Sequence, residues 1–566
     1  MNILVIQTSR FGDLLQTTPM LHALRVRYPD ASISVLSRYN VMEIYQDNPD
    51  LDHLELFNIE EYTRRLMSAP QNIFDAYIEL REAVDHLKAM NFDMVINVTH
   101  DRFSTFLTHL ITSSRIKGMY LSPNKKLHIK INGLWFQYLR CTSNFRMVAS
   151  FNLADIYKNA VGGSIETQRL FFHISKDSIS KADTLLGPTI KDAESFRYIG
   201  FQLGTSTGNR RWPSEYFIEL GNRLQNEMNT KIVLLGSKDE KKIGEKVIEG
   251  MTEKPIDLIG ETNISVLASI LNRCALLVTN DTGTMHLAAA VGTPCIALFF
   301  ESANPFQTGP YGEGHIICSP DLDCFPCPTT FECNDKRCLH RIPVETVYRL
   351  IQDRLGKNPS FQIPQPIGMR MFKTRFDPLG VWDAWPVGRL NLKKKDIIRR
   401  LYRHMWLRFA CRSREWNVGS TEPVLQDELK NDLRQWSQNY FLKDPEIQKW
   451  LSDFQEGLET LTGIVDRGLG LIKAMVLSIQ NVSLAPAYIK KQSDILGVLE
   501  KKIIQSGQDD LFVGQLTNLF QLELEQIHDA PFLIMLNAWK QVYDNLGTRM
   551  RILEEEIRLM REALGC

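Results

Sequence analysis

At 566 residues the chain is too long for one hydrophobic core, and at roughly 100 to 200 residues per domain it predicts three or more domains. A hydrophobic content of 44% with 23% charged residues describes an ordinary globular protein. Lys plus Arg (66) balances Asp plus Glu (66), so no global charge draws the chain to nucleic acid or an anionic membrane. Met1 to Ile6 lacks a basic leader, and no window holds the roughly 20 apolar residues of a membrane span. A cytoplasmic protein without nucleic-acid partners is the expectation.

In chain order, Ile3 to Ile6 predicts a strand, Leu14 to Tyr28 an amphipathic helix, and Ile33 to Leu36 a second strand. Phe74 to Met90 then predicts a helix and Met94 to Val98 a third strand. Strands alternating with helices imply a parallel sheet. A second α/β unit begins at the strand Tyr198 to Leu203. It continues through helix Ser214 to Met228, strand Lys231 to Leu235, helix Glu240 to Ile248, the segment Ile264 to Asn272, and strands Leu276 to Thr279 and Cys295 to Phe299. The expected α/β architecture is two Rossmann-like domains facing across a cleft, residues 1–175 and 176–355, the second including a Cys-rich segment at 318–340. Pro359, Pro364 and Pro366 open a linker, residues 356–395, with Trp382, Trp385 and Lys393 to Lys395 in its aromatic and basic part. A helical domain, residues 396–566, follows, with helices at Leu429 to Phe441, Ile447 to Val465 and Tyr488 to Ile504. Leu536, Trp539, Tyr543, Leu546, Met550, Leu553, Ile557, Met560 and Leu564 form a heptad stripe. With several amphipathic helices nearby, the stripe predicts a bundle in preference to a free coiled coil, and it could also carry an oligomer contact.

Three strand-to-helix turns carry the polar residues. Thr279 to His286 leads from a strand into a helix whose N-terminal N–H groups and dipole favour an anion, with Asp281, Thr282 and Gly283 at the turn. Helix capping is the alternative role for Asp281 and Thr282. Arg10 to Asp13 joins the first strand to the first helix at the carboxyl end of the sheet, where Asp13 faces the cleft or caps the helix. Gly204 to Pro213 follows another strand. Its hydroxyls and arginines suit phosphate oxygens, and Pro213 can start the helix. None of these turns matches the G-x-G-x-x-G or Walker pattern, which counts against a dehydrogenase or P-loop ATPase. Cys324, Cys327, Cys333 and Cys338 form C-x2-C-x5-C-x4-C, compact enough for one four-thiolate zinc or iron site, with free thiols or disulfides as alternatives. Cys318 and His340 could substitute as ligands.

Arg10-x-Gly12-Asp13 with Thr17-Thr18-Pro19, then Arg211-Trp212-Pro213, then Asp281-Thr282-Gly283-x-x-His286 with Gly292-Thr293-Pro294 resemble glycosyltransferase family 9, the ADP-heptose:lipopolysaccharide heptosyltransferases, over residues 1 to 355. The resemblance implies a GT-B-type fold with an acceptor domain followed by a nucleotide-sugar domain. The reaction it implies is a metal-independent, inverting transfer from ADP-heptose to a glycan or lipid-linked acceptor. By motif, Asp13 is the general base, and Thr205 and Ser206 lie near the diphosphate. Arg210 stands where the family usually has lysine. Glu240 serves the ribose, and Asp281, Thr282, Gly283 and His286 meet the sugar and diphosphate. No cofactor takes part in this chemistry, and the cysteine cluster, which in related autotransporter heptosyltransferases binds iron, is structural. Those relatives suggest a protein acceptor as an alternative, and a non-catalytic scaffold is a further one. For a lipid-linked acceptor, Trp382 to Arg403 could rest on the inner face of the cytoplasmic membrane; a solvated linker and bundle start is the preferred role.

Overall fold

The computed structural model describes the chain except residues 69–72, 112–114, 123–127, 144, 164–167, 188–195, 206, 329–332, 357–366, 414–421, 442–444, 481–485, 509–512, 528–531 and 566. Two compact units form: Met1–Tyr120 with Phe151–Arg389, and Leu121–Ser150 with Leu390–Cys566.

The first unit holds two doubly wound sheets. In one, β1 (Asn2–Ile6), β2 (Ser32–Arg38), β3 (His53–Phe57), β4 (Met94–Asn97) and β5 (Arg115–Leu121) lie parallel in the order β3-β2-β1-β4-β5. Ile3, Leu4, Val5 and Ile6 are all fully buried, as a strand covered on both faces requires. The order of strand connection reverses between β1 and β4, so a crevice opens at their carboxyl ends.

The other sheet comprises β7 (Arg197–Gln202), β8 (Thr230–Leu235), β9 (Ile256–Asp257), β10 (Leu276–Asn280), β11 (Cys295–Leu298), β12 (Ile316–Pro320), β13 (Met369–Phe376) and β14 (Trp382–Pro386). Its order is β14-β13-β12-β11-β10-β7-β8-β9, with the reversal between β7 and β10. Strands β9 to β12 are parallel, whereas β13 and β14 add as an antiparallel pair. The segment expected as a linker therefore completes this sheet. Its strands escape a sequence reading because Arg370, Lys373 and Arg375 interrupt the apolar run; Met369, Met371 and Phe372 are nonetheless buried. Pro359, Pro364 and Pro366 lie outside the described residues.

The second unit is helical, with helices Leu134–Thr142, Lys394–Arg412, Glu422–Ser437, Pro445–Gln480, Pro486–Ser506, Val513–Glu525 and Phe532–Leu564. It also contains β6 (Ile129–Asn132) and the parallel pair β15 (Leu390–Asn391) and β16 (Tyr440–Phe441). Residues 121–150, placed by the sequence in the N-terminal domain, thus group by contacts with the bundle. Trp135 and Tyr138 pack on Trp406 at centroid distances of 6.4 and 4.9 Å, and Cys141 Sγ donates to Gln515 O at 3.3 Å. The helix expected at Leu429–Phe441 stops at Ser437, and Tyr440 and Phe441 turn into β16.

Helix Phe532–Leu564 packs on Pro445–Gln480, Lys394–Arg412, Glu422–Ser437 and Val513–Glu525, so the heptad stripe is the face of a bundle helix. Arg549, Ile552, Glu556 and Leu559 are buried beside it, a wider band than a two-helix seam buries. No described helix is long and apolar enough to cross a membrane.

The basic, aromatic segment, expected as a solvated linker and bundle start or, for a lipid-linked acceptor, on a membrane surface, is largely buried. Trp382 is buried, with Nε1 donating to Pro310 O at 3.1 Å. Arg399, Arg400, Arg403 and Arg408 are buried as well, paired with Asp396, Asp432 and Glu556 or bonded to the Ser150 carbonyl. Asp432 and Glu556 come from helices distant in sequence, so composition alone made the segment read as exposed.

Candidate functional site

Both reversals of strand order lie in the first unit, and each sends a loop into a helix N-terminus. After β1, Thr8 N donates to Thr99 Oγ1 at 2.8 Å, pinning the start of the loop to the segment after β4. Helix Phe11–Arg27 follows with Arg10 as its N-cap, so Asp13 is the third helical residue and not the cap. Its carboxylate accepts from Arg10 N at 3.3 Å. Burial raises the Asp13 carboxyl above its ordinary value, opposed by that hydrogen bond and by the Arg10 charge. The phenols of Tyr45 and Tyr157, pushed up by burial, feel the Asp13 charge and stay neutral beside it.

Thr17, Thr18 and Pro19 have a backbone reason. Pro19 has no N–H for the carbonyl four residues back, and Thr18 Oγ1 donates to that Leu15 oxygen at 2.7 Å. Thr17 Oγ1 likewise donates to Asp13 O at 2.9 Å. The turn that bears Asp13 is thereby held while proline remains inside the helix.

On the second sheet, Asn280 ties the two strands at the reversal. Its Nδ2 donates to Gln202 O and Leu203 O at 3.2 and 3.1 Å, and its Oδ1 accepts from Trp212 N at 2.9 Å. Asn280 thus locks the Gly204–Pro213 loop to the Asp281 turn. Thr282 is the N-cap of helix Gly283–Ala290 but makes no cap bond through its side chain, and its buried Oγ1 has no hydrogen-bond partner. A buried hydroxyl without a partner at a helix N-terminus is costly alone and suited to an anionic ligand.

Arg210 lies beside this turn. Its Nε donates to Glu301 Oε2 at 3.2 Å, its Nη2 to Ser302 Oγ at 2.8 Å, and its Nη1 stands 3.9 Å from Asp281 Oδ2. Thr308 Oγ1 is 3.3 Å from Asp281 Oδ1. Glu240 Oε2 accepts from Ser237 N at 2.8 Å and Gln202 Nε2 at 3.2 Å. A Cβ on Gly204 would fall within the Glu240 carboxylate, so only glycine lets that side chain reach the crevice. Thr205 is buried and its hydroxyl donates to Thr207 O; Ser206 lies outside the described residues.

The two helix N-termini meet. A Cβ on Gly12 would come 2.7 Å from His286 Cδ2, and one on Gly283 would come 2.2 Å from Phe11 Cδ1, so two glycines permit the approach. His286 is buried, Nδ1 has no hydrogen-bond partner, and burial lowers its pKa to about 4, which leaves a neutral imidazole between the two turns. The fold therefore gathers Asp13, Arg210, Asp281, Thr282, Gly283 and His286 around one crevice, with Thr205 and Glu240 on the flanking loops. Asn280, Glu301 and Thr308 belong to the same region and carried no sequence signal, because their partners come from other loops.

The cysteines behave differently. Among the described residues no group of three or more His, Cys, Asp or Glu side chains is arranged to hold a metal ion. Cys324 is exposed and Cys327 is buried, and Cys333 Sγ donates to Asp335 O at 3.0 Å. Burial pushes the Cys327 thiol up to about 11, with the neighbouring Cys324, Cys338 and Cys333 adding to the rise. As arranged, these thiols do not form the expected four-thiolate zinc or iron site. Cys318 is buried in β12, and His340 Nδ1 lies 3.2 Å from Tyr216 Oη.

The glycosyltransferase family 9 (heptosyltransferase) profile matches residues 80–336. The chain is 25% identical over 349 residues to lipopolysaccharide heptosyltransferase 3 of Escherichia coli K12, covering 59% of this chain and 93% of that protein. Lipopolysaccharide heptosyltransferase 1 of Pseudomonas aeruginosa is 23% identical over 335 residues, covering 58% and 86%. The crystal structure of the family 9 glycosyltransferase from Veillonella parvula superposes with a TM-score of 0.51 at 25% identity, over 62% of this chain and 97% of that one. The chain thus carries a GT-B-like glycosyltransferase family 9 (heptosyltransferase) domain and is a glycosyltransferase, extended beyond that domain by a helical C-terminal region.

Proposed function

We propose that the enzyme transfers a heptose from ADP-heptose, with inversion, to a hydroxyl of a lipopolysaccharide-core or other glycan acceptor. The observation that supports this most is the meeting of two helix N-termini at one crevice, one bearing Asp13 and the other the unpaired Thr282 hydroxyl.

In this reading the ADP diphosphate lies at the N-terminus of helix Gly283–Ala290, with Asp281, Thr282 and Gly283 toward sugar and phosphate and Thr205 on the phosphate side. Glu240 takes a ribose hydroxyl. The acceptor oxygen bonds to the anomeric carbon as its proton passes to the Asp13 carboxylate, and the bond from that carbon to the β-phosphate oxygen breaks. A free aspartate is a weak base, with a pKa near 4, and the raised carboxyl strengthens it. Negative charge growing on ADP is met by Arg210 and the helix dipole, so positive charge comes from the chain itself and no metal is required. Neutral His286 adds no competing charge and can offer an N–H.

Titration with ADP-heptose, ADP-glucose, UDP-glucose and GDP-mannose tests the donor. ADP-heptose is expected to bind saturably and most tightly, and failure of all four to bind refutes the transferase reading. Supplying a glycan or a protein acceptor to the loaded enzyme then separates the two acceptor classes.

A further inference from the structure

Asn152 has no counterpart among the motif residues, yet it joins the two sides of the crevice. It caps helix Leu153–Ala160 and is fully buried. Its Oδ1 accepts from Ala154 N at 3.0 Å and from Gln16 Nε2 at 3.2 Å, while its Nδ2 donates to Gly309 O at 3.0 Å. Gln16 stands three residues after Asp13 on the same helix, one turn further in. Gly309 follows Thr308, whose hydroxyl lies 3.3 Å from Asp281 Oδ1. One amide therefore spans from the helix of Asp13 to the loop against Asp281.

Both ends of the bridge are anchored. Gly309 N donates to Pro305 O at 3.0 Å, and Trp382 Nε1 holds Pro310 O at 3.1 Å. Helix Leu153–Ala160 is tied to the same segment through Asp155, which accepts from Tyr311 Oη at 2.8 Å and from Trp382 N at 2.8 Å. Lys158 Nζ, 3.0 Å from Asp155 Oδ1, offsets the buried carboxylate charge. A cap alone requires only an acceptor, which Ser or Asp supplies as well as Asn. The bridge needs an acceptor and a donor in one planar group, which among side chains of this reach only the amide offers.

We propose that Asn152 is a positioning residue that sets the spacing between the Asp13 carboxylate and the donor loop at Asp281, an inference that rests on the transferase reading above. Transfer between two bound substrates depends steeply on such spacing, and a displacement of about 1 Å can cost about 100-fold in rate. Donor binding uses the second sheet's loops alone and does not depend on the bridge.

The test compares the wild type with Asn152→Asp and Asn152→Ser, which keep a cap and lose the donation to Gly309, and with Gln16→Leu, which cuts the bridge at its other end. Expected is a fall in kcat of about 10- to 100-fold in all three, with the Kd for ADP-heptose within twofold of wild type. Unchanged kcat overturns the proposal, and so does a parallel loss of donor affinity and kcat, which marks a merely structural role. A wild-type enzyme that binds no nucleotide sugar or shows no turnover refutes the transferase reading instead, so the two failures are distinguishable.

Discussion

In the first unit, the crevice at β7 and β10 buries polar atoms that no protein group satisfies, Thr282 Oγ1 and His286 Nδ1. In the second, buried ionic side chains lie against opposite charges: Arg400 on Asp432, His404 between Asp432 and Glu556, Arg408 on Glu555 and Glu556, and Arg549 on Glu523. Unpaired polar atoms beside a helix N-terminus are what a ligand completes, whereas paired charges complete one another and fix the packing of helices. The candidate site lies in the first unit, and the buried Arg400, His404, Arg408 and Arg549 of the second have counter-charges within the bundle. The contrast also shows why counting charged residues misleads. Helix Lys394–Arg412 looks like a surface for anions, and its buried Arg399, Arg400, Arg403 and Arg408 have interior partners.

The contrast can be broken by substitution. Glu523→Ala strands Arg549, a fully buried guanidinium, and should cost about 3–5 kcal/mol in denaturant unfolding of the helical unit. ADP-heptose affinity should stay unchanged in this variant; a loss of affinity equal to the loss of stability would contradict the division of roles. Arg210→Ala should weaken ADP-heptose binding by about 1.5–3 kcal/mol, roughly 10- to 150-fold, as expected for losing a charge-assisted fork. Donor calorimetry checks it, and a thermal shift without an affinity change would return Arg210 to a structural role. Thr282→Val should weaken the donor by about 1 kcal/mol while leaving the ligand-free protein as stable as before or more so, because it removes a buried hydroxyl that has no partner.

Stability against pH supplies the smallest effect and the sharpest contrast in sign. His286 is held by burial at about 4, so its contribution is present above the unfolded value near 6.5 and is lost as pH falls from there toward 4. His404 is opposed by burial, but its hydrogen bonds to Asp432 and Glu556 raise it above its ordinary value. Its contribution is full below about 6.5 and lost as pH rises through the raised value. Unfolding of wild type against His404→Gln should therefore differ most at mildly acidic pH and converge in alkali. The difference for His286→Gln should run in the opposite direction.

Strands buried on both faces were legible, since Ile3 to Ile6 and Leu276 to Thr279 are continuous apolar runs that carry their own signal, and their carboxyl-end turns follow them directly in sequence. Asp13, Arg210 and Asp281 to His286 lie on or beside such turns. What stayed hidden depends on partners far along the chain. Residues 121–150 join the bundle through contacts such as Ile131 N to Gln526 Oε1 at 3.0 Å, and β13 and β14 are recruited by the edge of a sheet already formed. Asn152 reads locally as a helix cap, and only the meeting of Gln16 and Gly309 gives it a second task. Cysteine spacing suggested a ligand set, and among the described residues no group of three or more such side chains is arranged for a metal ion.

The central claim is that Asp13 is the base for a donor held at Asp281 to His286. Its most direct test is turnover with saturating ADP-heptose and glycan acceptor, alongside the donor Kd, for wild type and Asp13→Asn. The account predicts an unchanged Kd and a kcat reduced by about 100- to 10,000-fold. Equal turnover in the two proteins would contradict it.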